Sequence, residues 1–453
     1  VPQQAPASSG EVVEIGANSE WRVEVGFDET LTVKASIHSY MQHTNLYFQV
    51  TEGTAEIFGT ELPNDTPYKF SGQKFAIYSH EGAKVEYTGQ LASEYTSEET
   101  QMTAYMNLHF ALCKIREEQE RGPRVLILGA KDTGKSTLSK ILAAYANRMD
   151  YEPMVVNLNP ADGVFSLPGS ISAAPISDIL DVEDGWGHSY TTGVTPLHPK
   201  QPNVRYYGFT DIRENLKFYK HCVSKLGVSA GSRASEDPIV RKSGLIIDTP
   251  PLTIKDAGVI EDIISDFEVD IVITLGNERL FVDMKKRFGS KLTVAKVPKS
   301  DGCVDRDETF MRQTQQRAIK EYFYGTPKTP LNPYTAHVDF SVVKVFKPAA
   351  ETSSSIVSSV LPIGEFGEAE EEEVKPTILE PVENSAAMLQ HCVVALLQAD
   401  KNDDPEVIAR SGVLGYAVIT GVDDEKKNMG LLIPVPGRLP DKAMVLGSFR
   451  YVE

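Results

Sequence analysis

Between the apolar run RVLILGA and the helix-like run LSKILAAYA lie residues Gly129 to Thr137, GAKDTGKST, which satisfy G-x-x-x-x-G-K-[ST] at every fixed position. The residue types and their spacing suit phosphate chemistry. Glycines let backbone N–H groups close around phosphate oxygens, Lys135 offers an ammonium to the β and γ phosphates, and the Ser136 hydroxyl can ligate Mg²⁺. The bland alternative is an accidental match inside a glycine-bearing turn. Strand, turn and helix nevertheless stand here in the order that the mechanism demands.

Phosphoryl chemistry also needs a carboxylate near the metal, usually at the end of a neighbouring strand. The run GLIIDT puts Asp248 there, although an Asp before Pro250-Pro251 can equally cap a turn. The run VVNLNP ends in Asn159 where a base would face the phosphate loop; an amide orients a hydroxyl but cannot take its proton. Asp162 follows three residues later, beyond Pro160. The segment ERLFVDMKKRF carries Arg279, Lys285, Lys286 and Arg287, which either close over a triphosphate as a lid or face solvent on a helix. Glu20 beside Trp21, and Lys74 before Phe75, read by their own pattern as surface residues of strands. His188 and His198 have no ligand spacing and read as structural or surface groups.

The elements that must position these groups follow from the apolar periodicity. RVLILGA, PMVVNLN, SGLIIDT, DIVITLG and LTVAKVP are strand-length apolar runs separated by helical segments, which predicts a parallel sheet covered on both faces. Before them, WRVEVGF, TLTVKA, NLYFQV, TAEIFGTEL, KFAIYSH and AKVEYTG predict a small β-sandwich or barrel, with SIHSYMQHTN as a surface loop and a helix over Glu99 to Glu120 entering the next domain. After KTPLNPY come further short strands and one helix near Ser385 to Ala399, with Gly364 to Glu373 an acidic loop. The fold class expected is α/β. A central P-loop NTPase parallel sheet over residues 101–328 is flanked by a small N-terminal β-sandwich domain over 1–100 and a small C-terminal domain over 329–453, a second β domain by its own pattern and an α/β domain by the resemblance given below.

A net charge of -18 makes the surface as a whole repel a polyanion, so RNA contact requires a local basic patch. The four cysteines are widely spaced, which argues against a zinc site or disulfide framework and for a reducing compartment. No apolar run approaches the roughly 20 residues of a membrane helix, and VPQQAPASSG lacks the apolar core of a signal peptide. No membrane role is expected.

Several strings resemble one family together: GTAEIFGTEL, RGPRVLILGAKDTGKST, LPGSISAAPISDIL, IKEYFYG, RSGVLGYAVIT and LLIPVPGRLPDKAMVLGSFRYVE are similar to the Clp-type polynucleotide-kinase family. Within it they resemble most the fungal members that serve pre-mRNA cleavage factor IA. The resemblance spans all three domains. It implies ATP as ligand, with Glu20 and Lys74 holding the adenosine, Asp132, Thr133, Gly134, Lys135, Ser136 and Thr137 the phosphates, and Ser136 and Asp248 the Mg²⁺. It implies a nuclear location and a scaffold subunit of cleavage factor IA that binds the RNA polymerase II C-terminal domain, among other 3'-end processing factors.

Active members of the family phosphorylate RNA 5'-hydroxyls, and this chain departs from their pattern twice. Leu158-Asn159-Pro160 stands where they carry L-D-V-G, and Asp248-Thr249-Pro250-Pro251 where they carry a segment ending in Gly-Trp that clasps the RNA end. The lid-like Arg279 is retained. Losing a positioned base typically costs about 10²- to 10⁴-fold. The resemblance therefore implies an ATP-holding assembly subunit more than an enzyme. The alternative is a 5'-hydroxyl kinase in which Lys135 and Arg279 stabilise charge, Asp248 organises Mg²⁺ and Asn159 or Asp162 orients the hydroxyl. A GTPase is disfavoured, because LGNERL is a poor substitute for the guanine-reading N/T-K-x-D.

Overall fold

In the computed structural model, which describes residues 10–27, 46–186, 200–350 and 378–452, the strand Ser19–Val25 shows how the N-terminal unit is built. Trp21, Val23 and Val25 point inward, as period-2 alternation requires, into a core shared with Phe48, Val50, Phe70, Phe75, Ile77 and Val85. Two antiparallel sheets close over this core. One contains Glu11–Ile15, Ala83–Thr88, Leu46–Gly53 and Tyr68–Phe70; the other runs Thr60–Leu62, Ala55–Ile57, Gln73–Ser79, Ser19–Val25 and Ser93–Ser97. The runs TLTVKA and SIHSYMQHTN lie outside the described residues. The alternate residues Glu20 and Arg22 should face water, yet they are 5% and 6% exposed. The outer face of this sheet is therefore covered by the rest of the protein.

The helix Met102–Glu118 carries the chain into a seven-stranded sheet ordered Asn203–Tyr206, Ser170–Pro175, Met154–Asn157, Leu245–Asp248, Arg124–Leu128, Ile271–Leu275, Thr293–Val297. The last five are parallel, and they are the five apolar runs read from the sequence. The sheet is nevertheless mixed, because Ser170–Pro175 pairs antiparallel with both of its neighbours. The reason lies in the connection. A parallel return needs a crossover, usually a helix, whereas the link from Asn157 to Ser170 contains no helix and turns through residues at positive φ, Gly163 and Gly169. The small residues of SISAAP hide this strand from a β-branched pattern.

The C-terminal unit is a second seven-stranded sheet with two short helices. The helix expected over Ser385 to Ala399 is corrected: only Ala386–Leu389 is helical, and after His391 at φ 62° the chain becomes the strand Cys392–Asp400. That strand lies between Val413–Asp423 and Lys442–Arg450 and is buried on both faces, so its continuous apolar run imitates a buried helix segment. The acidic stretch Gly364 to Glu373 lies outside the described residues, as do His188 and His198. No helix among the described residues is long and apolar enough to cross a membrane.

This sheet closes on the central one through a backbone contact that tolerates no side chain. Ser448 N donates to the Gly208 carbonyl over 2.8 Å, and a Cβ on Gly447 would stand 2.0 Å from that oxygen. Tyr416 Oη bonds Ser166 and Ser170 across the same junction. Gly447→Ala is expected to force the two sheets apart at a cost of about 1–3 kcal/mol, visible as a lower melting temperature of the nucleotide-free protein.

Candidate functional site

The buried strand Arg124–Leu128 delivers Gly129 to the edge of the sheet, and the helix Lys135–Asn147 begins six residues later. Asp132 at φ 54° and Gly134 at φ 88° turn the intervening loop back on itself. Gly134 also lies under Cys303, whose Sγ would be 2.9 Å from a Cβ added there, so a side chain at this position meets both backbone strain and a packed sulfur. Thr133 Oγ1 and Lys135 Nζ both donate to the Ala130 carbonyl, at 3.0 and 2.7 Å. Burial holds the Lys135 ammonium below the ordinary lysine range, with the Asp248 carboxylate opposing that shift. A deeply placed ammonium bonded to a carbonyl, and within ion-pair distance of no carboxylate among the described residues, is what a phosphate would complete.

Ser136 Oγ donates to Asp248 Oδ2 over 2.5 Å. Asp248 is 3% exposed, its Oδ1 has no partner, and burial raises its carboxyl to about 6 despite Lys135 and the Ser136 hydroxyl. A hard divalent cation seeks this donor set: a hydroxyl, a carboxylate and one unsatisfied oxygen. Mg²⁺ would be held by Ser136 and Asp248, completing its shell with water and phosphate oxygens.

On the neighbouring strand end Asn159 Nδ2 donates to Asp162 Oδ2 over 2.7 Å, so Asp162 does reach the region that Asn159 occupies. The other Asp162 oxygen accepts from Arg306 Nη1 at 3.2 Å. Arg306 in turn pairs with the phosphate-loop residue Asp132 through Nε at 2.7 Å and its backbone N–H at 2.9 Å, while Lys131 Nζ donates to the Arg306 carbonyl. Arg306 joins two acids at the phosphate loop, and sequence reasoning missed it. Its signal was faint, one arginine among the acids of CVDRDE, a pattern indistinguishable from a solvated turn. Arg279, by contrast, is exposed on the helix Glu278–Phe288 and lines a separate groove with Ile254 and Val282; Lys285, Lys286 and Arg287 are exposed on that helix too. The cation that the fold brings against the phosphate loop is Arg306.

The N-terminal sheet supplies the opposite wall. Glu20 is pinned through one oxygen by Arg22 Nε at 2.9 Å and through the other by Thr100 Oγ1. Lys74 pairs with Glu24 at 2.9 Å and lies 5.0 Å over the Phe310 ring, which meets Phe27 edge-on. Both residues are on the sheet's covered face, but Lys74 is in register with Glu24 and not with Glu20. Four strand residues separate them, about 13 Å, so they frame a strip and do not share one atom. The segment from Gly302 to Phe310 crosses between the walls: Gly302 packs on the Arg22 guanidinium, Cys303 over Gly134, Arg306 on Asp132, and Phe310 beneath Lys74. Thr137 is exposed on the first helical turn.

Three family models match in chain order: the N-terminal beta-sandwich domain of polyadenylation factor over residues 14–119, the mRNA cleavage and polyadenylation factor CLP1 P-loop over 129–325, and the pre-mRNA cleavage complex II protein Clp1 over 331–453. The chain belongs to the Clp1 family. The Clp1 protein of Debaryomyces hansenii, an mRNA cleavage and polyadenylation factor, is 41% identical over 498 residues, covering 100% of this chain and 97% of that protein. Its counterpart from Botryotinia fuckeliana is 40% identical, covering 96% and 92% respectively. A solved wild-type Clp1p–Pcf11p complex superposes with a TM-score of 0.84 at 35% identity, covering 98% of this chain and 100% of that one. A second structure describes an extended Pcf11p–Clp1p interface and ATP loss in a glycine-to-arginine point mutant; its TM-score is 0.83 at 36% identity, with 98% and 99% covered. The chain is thus a Clp1-family cleavage and polyadenylation factor with a nucleotide-binding P-loop domain.

Arg306→Ala is expected to free the 302–310 crossing from the phosphate loop. Proteolytic cleavage within that segment should rise in the nucleotide-free protein, and ATP affinity should fall by about tenfold or more. Unchanged cleavage and affinity would mean that the bridge to Asp132 and Asp162 holds nothing in place.

Proposed function

We propose that this chain is the ATP-holding subunit of the nuclear machinery that cleaves and polyadenylates pre-mRNA, and that Mg²⁺-ATP acts in it as a structural ligand. The observation that carries the reading is the two-walled site. The phosphate loop belongs to the central domain, the face with Glu20 and Lys74 to the N-terminal domain, and one segment, Gly302 to Phe310, packs on both. A nucleotide gripped from both sides fixes their arrangement without being consumed. By analogy with the solved Clp1p–Pcf11p complexes, the partner is a Pcf11-type scaffold subunit, the one expected to reach the polymerase C-terminal domain.

The chemistry of the site supports holding over transfer. The residue two positions beyond the Met154–Asn157 strand is Asn159, an amide, and the nearby Asp162 is occupied by Asn159 and Arg306. Transfer to an RNA 5'-hydroxyl is the second reading, because Asp162, Arg306 and Lys135 converge on one region and a released Asp162 would be the base that Asn159 is not.

One preparation tests both. Protein purified without added nucleotide is denatured and its ligand identified, while native protein is incubated with labelled ATP, Mg²⁺ and 5'-hydroxyl RNA. Stoichiometric ATP with no labelled RNA is the expected result; bound ADP with labelled RNA would establish the kinase. Asn159→Asp sharpens the distinction, since it sets a second carboxylate beside Asp162. It is expected to raise 5'-phosphorylation above the wild-type level, and the absence of a gain would shift the cause of silence to the Pro250-Pro251 segment.

A further inference from the structure

The helix Glu278–Phe288 packs beside Thr293–Val297, the last strand of the central sheet, so it stands at the rim of that domain. From Glu278 to Lys296 the sequence places six cations and two carboxylates, in a chain whose net charge is -18. All six cations are exposed, because Leu280 and Met284 take the buried face of the helix. The two acids are already engaged, Glu278 by Lys296 and Asp283 by Arg287 at 2.9 Å, and Arg287 also meets Glu261 at 3.6 Å. On the neighbouring elements Asp256 and Asp262 are paired with Arg213 and Lys220. Arg279, Lys285, Lys286 and Lys291 are left with no carboxylate within ion-pair distance among the described residues.

Helix chemistry explains only part of this pattern. Lys285 and Lys286 suit the last turn, where the dipole favours cations, and Lys285 lies 5.5 Å over the Phe281 ring. Arg279 stands in the first turn, where the dipole disfavours it, and Lys291 lies beyond the helix. The four unpaired cations thus run from one end of the helix to past the other, over about 16 Å. Three are lysines, point charges on flexible stems that follow an anionic backbone without requiring one geometry. No aromatic ring of the segment is exposed, Phe281 and Phe288 being half-buried, so the strip offers charge without a stacking platform. The charge of the whole chain does not cancel it. At physiological salt the screening length is about 8 Å, so an approaching anion feels this rim and little of the acids on distant faces.

We propose that this rim is a sequence-independent contact for the phosphate backbone of single-stranded RNA, separate from the nucleotide site. The strip is the local basic patch that RNA contact requires of so acidic a chain. A nucleic-acid backbone presents an anion at every nucleotide, so it meets spaced cations in any register; an acidic polypeptide matches them only where its own carboxylates fall. The inference rests on the assembly reading above, which puts the chain on pre-mRNA, and adds where the transcript touches it.

The test titrates the full chain by anisotropy, at several salt concentrations, against a short fluorescein-labelled RNA of mixed sequence whose 5' end is phosphorylated and so cannot accept a phosphoryl group. Wild type is expected to bind it, with log affinity falling against log salt at a slope of about -2.8 when all four cations reach phosphates. The variant Lys285→Ala, Lys286→Ala, Lys291→Ala should retain a slope of about -0.7 and bind about tenfold more weakly or worse at low salt, with ATP affinity and melting temperature unchanged. Oligo(U) and oligo(A) should bind alike. No binding by wild type, or equal affinity and slope in variant and wild type, overturns the assignment. A variant that keeps RNA but loses a Pcf11-type subunit shows that the rim holds an acidic polypeptide, and the proposal fails. Phosphorylation of the 5'-hydroxyl form of the same RNA would overturn the assembly reading instead, and the two salt slopes would still decide the strip.

Discussion

Lys135→Ala should abolish most of the thermal stabilisation that ATP confers while leaving the nucleotide-free protein as stable as before. The ammonium is 7% exposed and is held in the loop by the Ala130 carbonyl, with burial opposing its charge. Removing it therefore relieves a desolvation penalty and loses one hydrogen bond, two small and opposite effects on the empty protein. With the triphosphate present the balance differs, because a buried charge pair loses one partner. That loss is worth about 2–5 kcal/mol, or roughly 30-fold and upward in affinity. At a ligand concentration about 1,000 times the wild-type dissociation constant, ATP stabilises the fold by about 4 kcal/mol, and a variant weakened to that extent retains half or less. Calorimetric titration and paired melting curves read the two quantities. An unchanged ATP affinity would remove GAKDTGKST from the site.

The second large effect is at Asp248, where the sign depends on what is bound. Its carboxyl lies near 6 in the folded protein against an ordinary 3.8, because burial disfavours the charge. The folded state thus binds the proton more tightly than the unfolded chain. This group's stabilising contribution is fully present below about 3.8 and is lost as pH rises through about 6. At pH 7.5 the empty protein carries a penalty of about 3 kcal/mol. Asp248→Asn removes that penalty, offset in part by an amide N–H with no acceptor. The nucleotide-free variant is expected to melt above wild type at pH 7.5, and the gap should shrink to about half on acidification to pH 5 and close only near pH 3.8. With Mg²⁺-ATP the order reverses, since the cation needs the carboxylate. Equal melting of variant and wild type with and without Mg²⁺-ATP would show that Asp248 neither suffers from burial nor serves the metal.

Both predictions concern residues whose placement was legible in the sequence, because a phosphate loop is local. Its glycines, Lys135 and Ser136 act within nine consecutive residues, and Asp248 follows from the rule that strand ends line the same edge of a parallel sheet. Four of the five parallel strands were legible for a related reason: a strand buried on both faces must be continuously apolar, whereas the edge strand Thr293–Val297 is largely exposed or half-buried. The same rule misled at Cys392–Asp400, where period gives no distinction between a buried strand and a buried helix.

What the sequence by itself determined is the nucleotide loop, the place of Asp248 at the end of a neighbouring strand, and the family with its domain order, since each is carried by contiguous strings. What only the tertiary structure decided is which distant residues complete the site. Arg306 reaches Asp132 across 174 positions and Asp162 across 144, and nothing local marks it; Arg279, which bears the more suggestive surroundings, lies exposed in the groove beside Ile254. The covered face of the N-terminal sheet was hidden likewise. Glu20 and Arg22 alternate with core residues as solvent-facing residues do, and only docking against the central domain makes that polar face an interior surface. Alternation reports which side of a strand faces its own core, not what later packs on the other side.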